Sequence, residues 1–381
     1  MNGVVCGAGM MGRAIAYDLI HKTSCKSLTL VDIDRKNLST AQKFFSHTDV
    51  HCQKVDVSDV SKMKNIFKKA DIAISAVPYY LNYRLTKLAL QTRCHFVDLG
   101  GNNDVVMKQR TLNDQAKKQD VTVIPDCGLA PGLVSIITRD IVDELDRVDR
   151  VHLRVGGLPV SPQPPLNYQI VFSPYGLINE YYEDALILDH GVIRKKPSLS
   201  ELENIMFPAP FGKMEAFLTS GGCSTLPYTF QDRIGYLDYK TIRYPGHCEQ
   251  MQTLFQLGFA DPKKQKIAGC MIAPREVLVT LLQQHVPTQG KDVVLLYVLG
   301  IGEKQGKNIT MTYTMIDYAD ETTEFSAMMR TTGFPAAITA QMIMEGMISE
   351  RGVFCSEENI PSKPFFSLLA ERGLHLEKKL I

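Results

Sequence analysis

The chain has no excess of either charge: 42 Lys and Arg stand against 41 Asp and Glu, a formal net charge of +1. That balance argues against a nucleic-acid or anionic-membrane partner, because each would need a dense basic surface. No apolar run approaches the roughly 18 residues of a membrane span. A basic leader with a cleavage site is also missing, since the first residues already read as a strand. The nine cysteines are scattered singly, with no C-x-x-C pair and no histidine at finger-like spacing. An odd number of thiols in a long chain fits a reduced, cytoplasmic protein better than a disulfide scaffold, and no metal site is expected. Internal repeats and low-complexity segments are absent. What remains is an ordinary globular composition, 45% apolar and 22% charged over 381 residues, long enough for two domains.

The first segment with chemical content is the opening, MNGVVCGAGMMGRAIAYDLI. A short apolar strand runs into Gly7, Gly9 and Gly12 and then into a helical pattern. This is G-x-G-x-x-G at a strand-to-helix junction, the dinucleotide fingerprint. Gly7 permits the tight turn, Gly9 lets backbone approach a pyrophosphate, and Gly12 lets the helix lie close to the strand. With Met10 and Met11 they form the expected phosphate cradle at a helix N-terminus. The next strand, SLTLVDID, ends in Asp32, about twenty residues beyond the last glycine, where a carboxylate accepts the ribose hydroxyls of NAD. The alternative is that Asp32 caps the helix that follows. A carboxylate here repels a 2′-phosphate, which favours NAD over NADP, while the nearby Arg35 blunts that preference.

Strands continue to alternate with helical segments. Residues 50–57 form a third strand with Asp56 at its adenine-flanking end. ADIAISAVP is a fourth, ending at Ala76 and Val77, CHFVDLGG a fifth and VTVIPD a sixth. The alternation predicts an α/β fold, a Rossmann-type doubly wound parallel sheet with ligands beyond the carboxyl ends of its strands. The sixth strand runs into Asp126, Cys127, two glycines and two prolines, a non-helical turn in which Asp126 bonds backbone amides as Asx residues do. A helix is expected over 133–146, a strand over 237–244 and a helix over 248–259. A hairpin should turn at Gln305-Gly306, and a helix over 334–350 should carry Pro335 near its start. The expected domains are a dinucleotide-binding part over 1–130, a substrate part over 131–330, and a helical segment over 331–381 that returns to the first.

Several later motifs combine with the glycines: DCGLAPGL, PPLNYQIVFSPYGLINEY, EAFLTSGGCSTLP and KTIRYPGH. Together they resemble the saccharopine dehydrogenase-like superfamily over the whole chain, and within it most closely the L-lysine 6-dehydrogenases. The resemblance implies NAD-linked oxidative deamination of the ε-amino group of L-lysine, giving 2-aminoadipate 6-semialdehyde, which cyclises to a piperideine carboxylate. It also implies a second α/β domain for substrate and dimerisation, hence a homodimer or larger homo-oligomer. Saccharopine reductases carry an Arg where this chain has Tyr175, in Ser173-Pro174-Tyr175-Gly176. Losing a cation there suits a substrate without the extra carboxylates of saccharopine. An NADP-dependent saccharopine- or carboxynorspermidine-type reductase is the enzymatic alternative, and a non-catalytic dinucleotide-binding protein is a third reading.

The chemistry defines the side chains to look for. Hydride leaves carbon 6 only after the ε-ammonium, with a reference pKa near 10.4, has lost a proton. Asp98, ending the fifth strand, is a candidate for binding the leaving ammonium or acting as base, and equally a turn Asp. Cys127 suits the wall of the hydride path better than a nucleophile. Arg243 is the candidate clamp for the α-carboxylate, against an ion-paired Arg. His247 is a candidate general base for the imine step, against a hydrogen-bonded structural His. Tyr168 and Asn167 are assigned to the α-amino end, Phe172 and Phe217 to apolar walls, and Glu215 to a substrate ammonium with Lys240 as its partner.

Overall fold

Val4, Val5 and Cys6 are fully buried at the centre of β1 (Asn2–Cys6), as expected of a parallel strand covered on both faces. The computed structural model describes all residues from Met1 to Ile381. β2 (Ser27–Asp32), β3 (Val50–Lys54), β4 (Ile72–Ser75), β5 (His95–Asp98) and β6 (Thr122–Ile124) follow, each separated from the next by helix. They form one seven-stranded sheet in the order Gly352–Val353, β6, β5, β4, β1, β2, β3. Every pair in it is parallel. β1 lies between β2 and β4, so the strand order reverses there, which is where such sheets bind their ligands. β3 stops short of the expected 50–57 because Val55 turns inward and Asp56 closes a turn on the Ser58 amide at 2.8 Å.

The chain divides into two compact units. The first comprises Met1–Glu144, Ser224–Thr229 and Met329–Leu376, and so runs past the anticipated limit at residue 130. Its core packs Val4, Val31, Phe67, Leu85 and Phe96 around the sheet; each such side chain stabilises the fold by about 1.5–3 kcal/mol. The second unit comprises Leu145–Cys223, Phe230–Met328 and Glu377–Ile381. It is built on β7 (Arg147–Pro159), β8 (Ala185–Asp189), β9 (Val192–Lys196), β10 (Glu203–Phe207), β11 (Gly212–Leu218) and β12 (Ile234–Arg243). A small hairpin, β13 (Gln265–Ile267) and β14 (Cys270–Ile272), precedes the long strands β15 (Asp292–Lys304) and β16 (Lys307–Tyr318). The nine-stranded sheet runs β10, β11, β12, β7, β15, β16 and Glu377–Leu380, with β8 and β9 paired off β12. Only β12 and β7 pair in parallel. The β15–β16 turn falls at Gln305 and Gly306, with φ of 53° and 75°, the left-handed pair that a two-residue hairpin loop requires.

Helix limits differ from the sequence expectation where a distant residue fixes them. Leu133–Glu144 and His247–Gln256 lie within a few residues of the expected ranges. The helix expected over 334–350 instead spans Ala327–Met344, with Pro335 inside it. Its start is set by buried Asp292, whose carboxylate accepts the amides of Ala327 at 2.6 Å and Met328 at 3.0 Å. Gly346, at φ 76°, ends it in a left-handed cap.

The first unit's C-terminal segment is fastened by one buried ion pair. Arg372 donates to both carboxylate oxygens of Asp18, at 2.7 and 2.9 Å, and to Gln341 Oε1 at 2.7 Å. Burial raises the Asp18 carboxyl to about 6 although Arg372 pulls the other way, so the pair is ionised at neutral pH. Removing one member leaves an uncompensated buried charge. We expect Arg372→Ala to cost about 3–5 kcal/mol in chemical denaturation, whereas Asp18→Leu with Arg372→Met should stay much closer to wild type.

Candidate active site

The turn after β1 is built by close contacts that only glycine allows. A Cβ on Gly7, at φ +103°, would lie 2.7 Å from the Ala76 carbonyl oxygen, and a Cβ on Gly12 would lie 1.7 Å from that of Gly7. Gly9 is different: a Cβ there would meet nothing within 4 Å. It precedes the helix Met10–Lys22, whose N-terminus has no side-chain cap. Open space beside uncapped amides is the cradle a pyrophosphate needs. At the end of β2, Asp32 Oδ2 accepts the Ala8 amide at 2.7 Å and Asn37 Nδ2 at 3.2 Å, while Oδ1 accepts the Asp34 amide at 2.8 Å. Asp34, not Asp32, caps the next helix through the Lys36 amide at 2.6 Å. These residues fit a nicotinamide dinucleotide. Met10 and Arg35 are exposed, Met11, Ala76 and Val77 are half-buried at the same end of the sheet, and Asp56 is exposed in its turn. Arg13 was missed by the sequence reading. Directly after the third glycine, its Nε is buried without a partner and burial lowers its pKa.

Beyond β5 and β6 the same unit buries three carboxyls. Asp98 accepts Gln109 Nε2 at 2.6 Å, the Gly100 amide at 2.8 Å and the Asp126 amide at 3.4 Å, and burial raises it to about 6. Both its oxygens are thus held by its own surroundings, the geometry of a turn-forming Asp. Asp126 sits at φ 59° and accepts the Ser224 hydroxyl on Oδ2, so a side chain, rather than the backbone amides expected of an Asx turn, is its main partner. Its Oδ1 has no hydrogen bond of ordinary geometry, although the Gly101 amide faces it. Burial, then the Asp98 and Glu357 charges, push Asp126 up to about 8 against the Ser224 bond. Glu357 accepts the hydroxyls of Thr225 at 2.7 Å and Thr229 at 2.8 Å. Two buried carboxyls therefore hold the segment Ser224–Thr229. Cys127 faces the Ile124 carbonyl and Ser356, and burial raises its thiol far above the range of a nucleophile. Ser224 lies inside a motif visible in the sequence; Glu357 and Gln109 carry no local signal.

In the second unit the structure brings Arg243, His247, Tyr168 and Phe217 together and adds Tyr181. Arg243 ends β12 and is 3% exposed. Its Nε donates to the Tyr181 hydroxyl at 2.9 Å and its Nη1 to the Ile242 carbonyl at 2.9 Å. The guanidinium carbon lies 4.8 Å from the Tyr168 ring centre and 5.9 Å from that of Tyr181. Burial opposes its charge, yet the Tyr181, Tyr168 and Glu180 oxygens keep it protonated. The other buried cations are paired: Arg154 with Asp238 and Glu203, Lys240 with Glu203, and Arg372 with Asp18. Arg243 alone among these makes no ion pair.

His247 takes a different place from the general base expected of it. Its ring is 1% exposed, Nδ1 lies 3.0 Å from the Leu166 carbonyl and Nε2 lies 3.1 Å from the Tyr181 hydroxyl. Burial, then the Arg243 charge, lowers its pKa to about 3, so it is neutral. A carbonyl only accepts, so the proton sits on Nδ1 and Nε2 accepts from Tyr181. The bonds therefore run one way, from Arg243 to Tyr181 to His247 to Leu166. Glu215 and Lys240 also depart from expectation. Glu215 accepts the Gly246 amide at 2.9 Å and the Cys248 amide at 2.6 Å, capping the helix that carries His247. Lys240 is taken by Glu203 at 3.0 Å and the Glu201 carbonyl at 2.7 Å. The Tyr168 hydroxyl is buried and makes no hydrogen bond of ordinary geometry, although the Val171 amide faces it, and burial pushes it up to about 12. Phe217 stacks on His247 at 6.4 Å. Asn167 and Phe172 are half-buried, Asn167 in a turn at φ 49°. Tyr175 is exposed and donates to Glu276 at 2.5 Å.

A parallel sheet with its glycine cradle, carrying a second unit with a mixed sheet, defines a dinucleotide-dependent oxidoreductase architecture. Family comparison makes this specific. Residues 4–124 match the saccharopine dehydrogenase NADP binding domain and residues 128–374 match the saccharopine dehydrogenase C-terminal domain. The chain belongs to the saccharopine dehydrogenase family. It is 22% identical to saccharopine dehydrogenase [NADP(+), L-glutamate-forming] of Saccharomyces cerevisiae, over 100% of this chain and 99% of that protein. It is also 22% identical to carboxyaminopropylagmatine dehydrogenase of Synechocystis, over 97% of this chain and 96% of that one. Among solved structures, apo saccharopine dehydrogenase (L-Glu forming) from Saccharomyces cerevisiae superposes with a TM-score of 0.83 at 19% identity, covering 100% of this chain and 99% of that one. The homospermidine synthase from Legionella pneumophila, solved in complex with NAD, gives 0.70 at 14% identity, covering 100% and 91%. At these identities the superpositions establish the fold. No helix is long and apolar enough to cross a membrane.

Two outcomes follow from this geometry. Gly9→Ala should fold normally and weaken NADH binding by about tenfold or more in a fluorescence titration, because its methyl enters the open cradle. Gly12→Ala should lower the melting temperature instead, because its methyl meets backbone at 1.7 Å. The second outcome concerns Asp126. Its folded pKa of about 8 lies above an ordinary carboxyl, so between those values the folded chain holds a proton the unfolded chain has lost. Stability should therefore fall as pH rises through that window and level off above it. Asp126→Asn should flatten the slope in denaturation curves taken at several pH values.

Proposed function

We propose that the chain is an NAD-dependent L-lysine 6-dehydrogenase, converting the ε-amino end to 2-aminoadipate 6-semialdehyde and ammonia, with later cyclisation to a piperideine carboxylate. The observation that carries this reading is Arg243, the one fully buried Lys or Arg side chain that makes no ion pair. A single such cation suits one substrate carboxylate. The Tyr168 hydroxyl, buried beside it without an ordinary hydrogen bond, supplies a second polar contact. Asp32 supports NAD, because its carboxylate at the end of β2 would repel a 2′-phosphate.

Bound NAD would accept the hydride from carbon 6. This chain's residues prepare the amine for that step. Within the dinucleotide-binding unit, Asp126 has an oxygen without an ordinary partner and a pKa near 8, the range of a general base. Asp98 holds the Gly100–Asp126 region in place, and Cys127 is wall. His247 orients Tyr181, and through it Arg243, while staying neutral beside that cation. A second reading is an NADP-dependent reductase of the saccharopine or carboxynorspermidine type, in keeping with the NADP-linked saccharopine dehydrogenase of Saccharomyces cerevisiae among the relatives. Against it stands Asp32, whose carboxylate would repel a 2′-phosphate.

Absorbance at 340 nm with NAD and L-lysine at alkaline pH tests the proposal, with NADP and L-ornithine as controls. Lysine-dependent NADH formation with ammonia release is expected. Reduction of an aldehyde with an amine partner by NADPH, and no lysine oxidation, would move the chain to the second reading; silence both ways would favour a non-catalytic dinucleotide binder. Arg243→Met should raise KM for lysine by roughly 10- to 150-fold with a smaller effect on kcat, since hydrogen bonds between charged groups contribute about 1.5–3 kcal/mol. Arg243→Lys should not restore it.

A further inference from the structure

The strand SLTLVD breaks the pattern of the sheet it belongs to. A parallel strand covered on both faces is apolar throughout, yet β2 alternates. Leu28 and Leu30 are fully buried on one face, while Ser27 and Thr29 are half-buried on the other. Register carries the polar face onto the neighbouring strands: Ser27 lies beside Asn2 of β1, and Gln53 of β3 lies beside Val31, two residues beyond Thr29. Between this floor and the helix Val60–Phe67 lies a cavity of about 520 Å3. The helix contributes Lys62 and Asn65 to its wall, and the turn that closes the helix contributes Lys69. Steps of three and four residues put these side chains on one face. None of the hydroxyl and amide side chains around the cavity bonds to another protein group. Both charged residues that line it are lysines. Lys62 reaches Asp59 at 3.2 Å in a pair open to water, which holds it weakly, and Lys69 makes no ion pair. The cavity begins at Asn2, whereas the glycine turn follows Cys6. Those two residues are about 13 Å apart along a strand, so the cavity and the dinucleotide cradle are different places.

We propose that this cavity binds a pentose or hexose phosphate, with the phosphate on Lys62 and Lys69 and the sugar hydroxyls on the floor. The site goes beyond the lysine chemistry and stands or falls independently of it. Small-molecule sites are clefts of roughly 300–1,000 Å3, a size a bare phosphate ion would leave mostly to water. An apolar ligand would strip water from the hydroxyl and amide groups and return no hydrogen bonds. The choice of phosphate over carboxylate follows from the cations. A lysine ammonium is a point charge suited to phosphate, whereas a carboxylate is matched by the fork of an arginine, and no arginine lines the cavity.

Calorimetry tests this with glucose 6-phosphate and ribose 5-phosphate as probes, and with glucose, inorganic phosphate and citrate as controls. Saturating NADH is present throughout, to keep the probes off the pyrophosphate cradle. At least one sugar phosphate should bind with a Kd of about 1 mM or below, and each control should be weaker by about tenfold or more. The double variant Lys62→Met with Lys69→Met should weaken that binding by about tenfold or more, and Thr29→Val by about threefold. Both variants should keep the NADH Kd and the melting temperature of wild type, because the lysines are exposed and Thr29→Val preserves shape. The inference is overturned if neither sugar phosphate binds, or if the double lysine variant binds as well as wild type. Inorganic phosphate binding as tightly as the sugar phosphates would mean an adventitious ion only, and tighter binding of citrate would remove the phosphate assignment; either result also overturns it.

Discussion

A guanidinium held away from water without an ion pair is the constraint around which the second unit's site is arranged. Leaving Arg243 charged in that position costs several kcal/mol unless its surroundings replace water. Two tyrosine rings and two oxygen acceptors do part of this. The consequences reach the next residues along the chain of bonds. With Tyr181 accepting from Arg243, its own proton must go elsewhere, and His247 Nε2 is the acceptor within reach. That in turn requires a neutral histidine protonated on Nδ1, which the Leu166 carbonyl fixes. A charged His247 would need Nε2 to donate, would break the direction of the chain, and would place a second cation beside the first. The low pKa of His247 and the geometry of its bonds are therefore two expressions of one arrangement.

Parts of the fold were legible in the sequence wherever the controlling interaction is local. The glycine turn is one such case: Gly7 and Gly12 are required by contacts between residues a few positions apart, and their spacing identifies them. The hairpin at Gln305-Gly306 is another, because the left-handed conformation is demanded by the two residues that supply it. The parallel, doubly wound character of the first sheet follows from the alternation of strands and helices; its strand order, and Gly352–Val353 at its edge, do not. The helix Ala327–Met344 was misplaced because its N-terminus is fixed by Asp292, more than thirty residues earlier in the chain. Pro335, a good local signal for a helix start, is overruled by that partner.

The same distinction separates correct from incorrect site assignments. Arg243 and Tyr168 lie in motifs whose residue types already suggested an anion clamp, and the fold brings them to one place. Glu215 carries the same kind of motif signal, yet its carboxylate caps a helix. In register opposite Arg243 on adjacent strands, it meets the amides of Gly246 and Cys248, and a carboxylate satisfied twice by backbone has no free oxygen geometry left for a ligand. In the first unit, Asp126 and Glu357 are 231 residues apart in numbering yet hold neighbouring residues of a third segment, Ser224 and Thr225. No periodicity or spacing rule reports such a meeting.

Asp32 shows how a specificity residue can be bound into the architecture it serves. Its Oδ2 accepts the amide of Ala8, between the first two glycines, and its Oδ1 accepts that of Asp34 at the start of the next turn. One carboxylate thus ties the phosphate loop to the end of β2 and presents a negative charge where the adenosine ribose is expected. On the NAD reading, discrimination against a 2′-phosphate is not separable from loop geometry. Replacing Asp32 by a neutral side chain removes the repulsion and also releases the Ala8 amide, so weaker binding of both dinucleotides would accompany any relaxed choice between them. Asn37, which donates to the same oxygen, and the exposed Arg35 lie close enough in sequence to alter that balance without cutting the tie to the loop. Evolution of cofactor preference on this scaffold is therefore physically easier at positions 35 and 37 than at Asp32 itself.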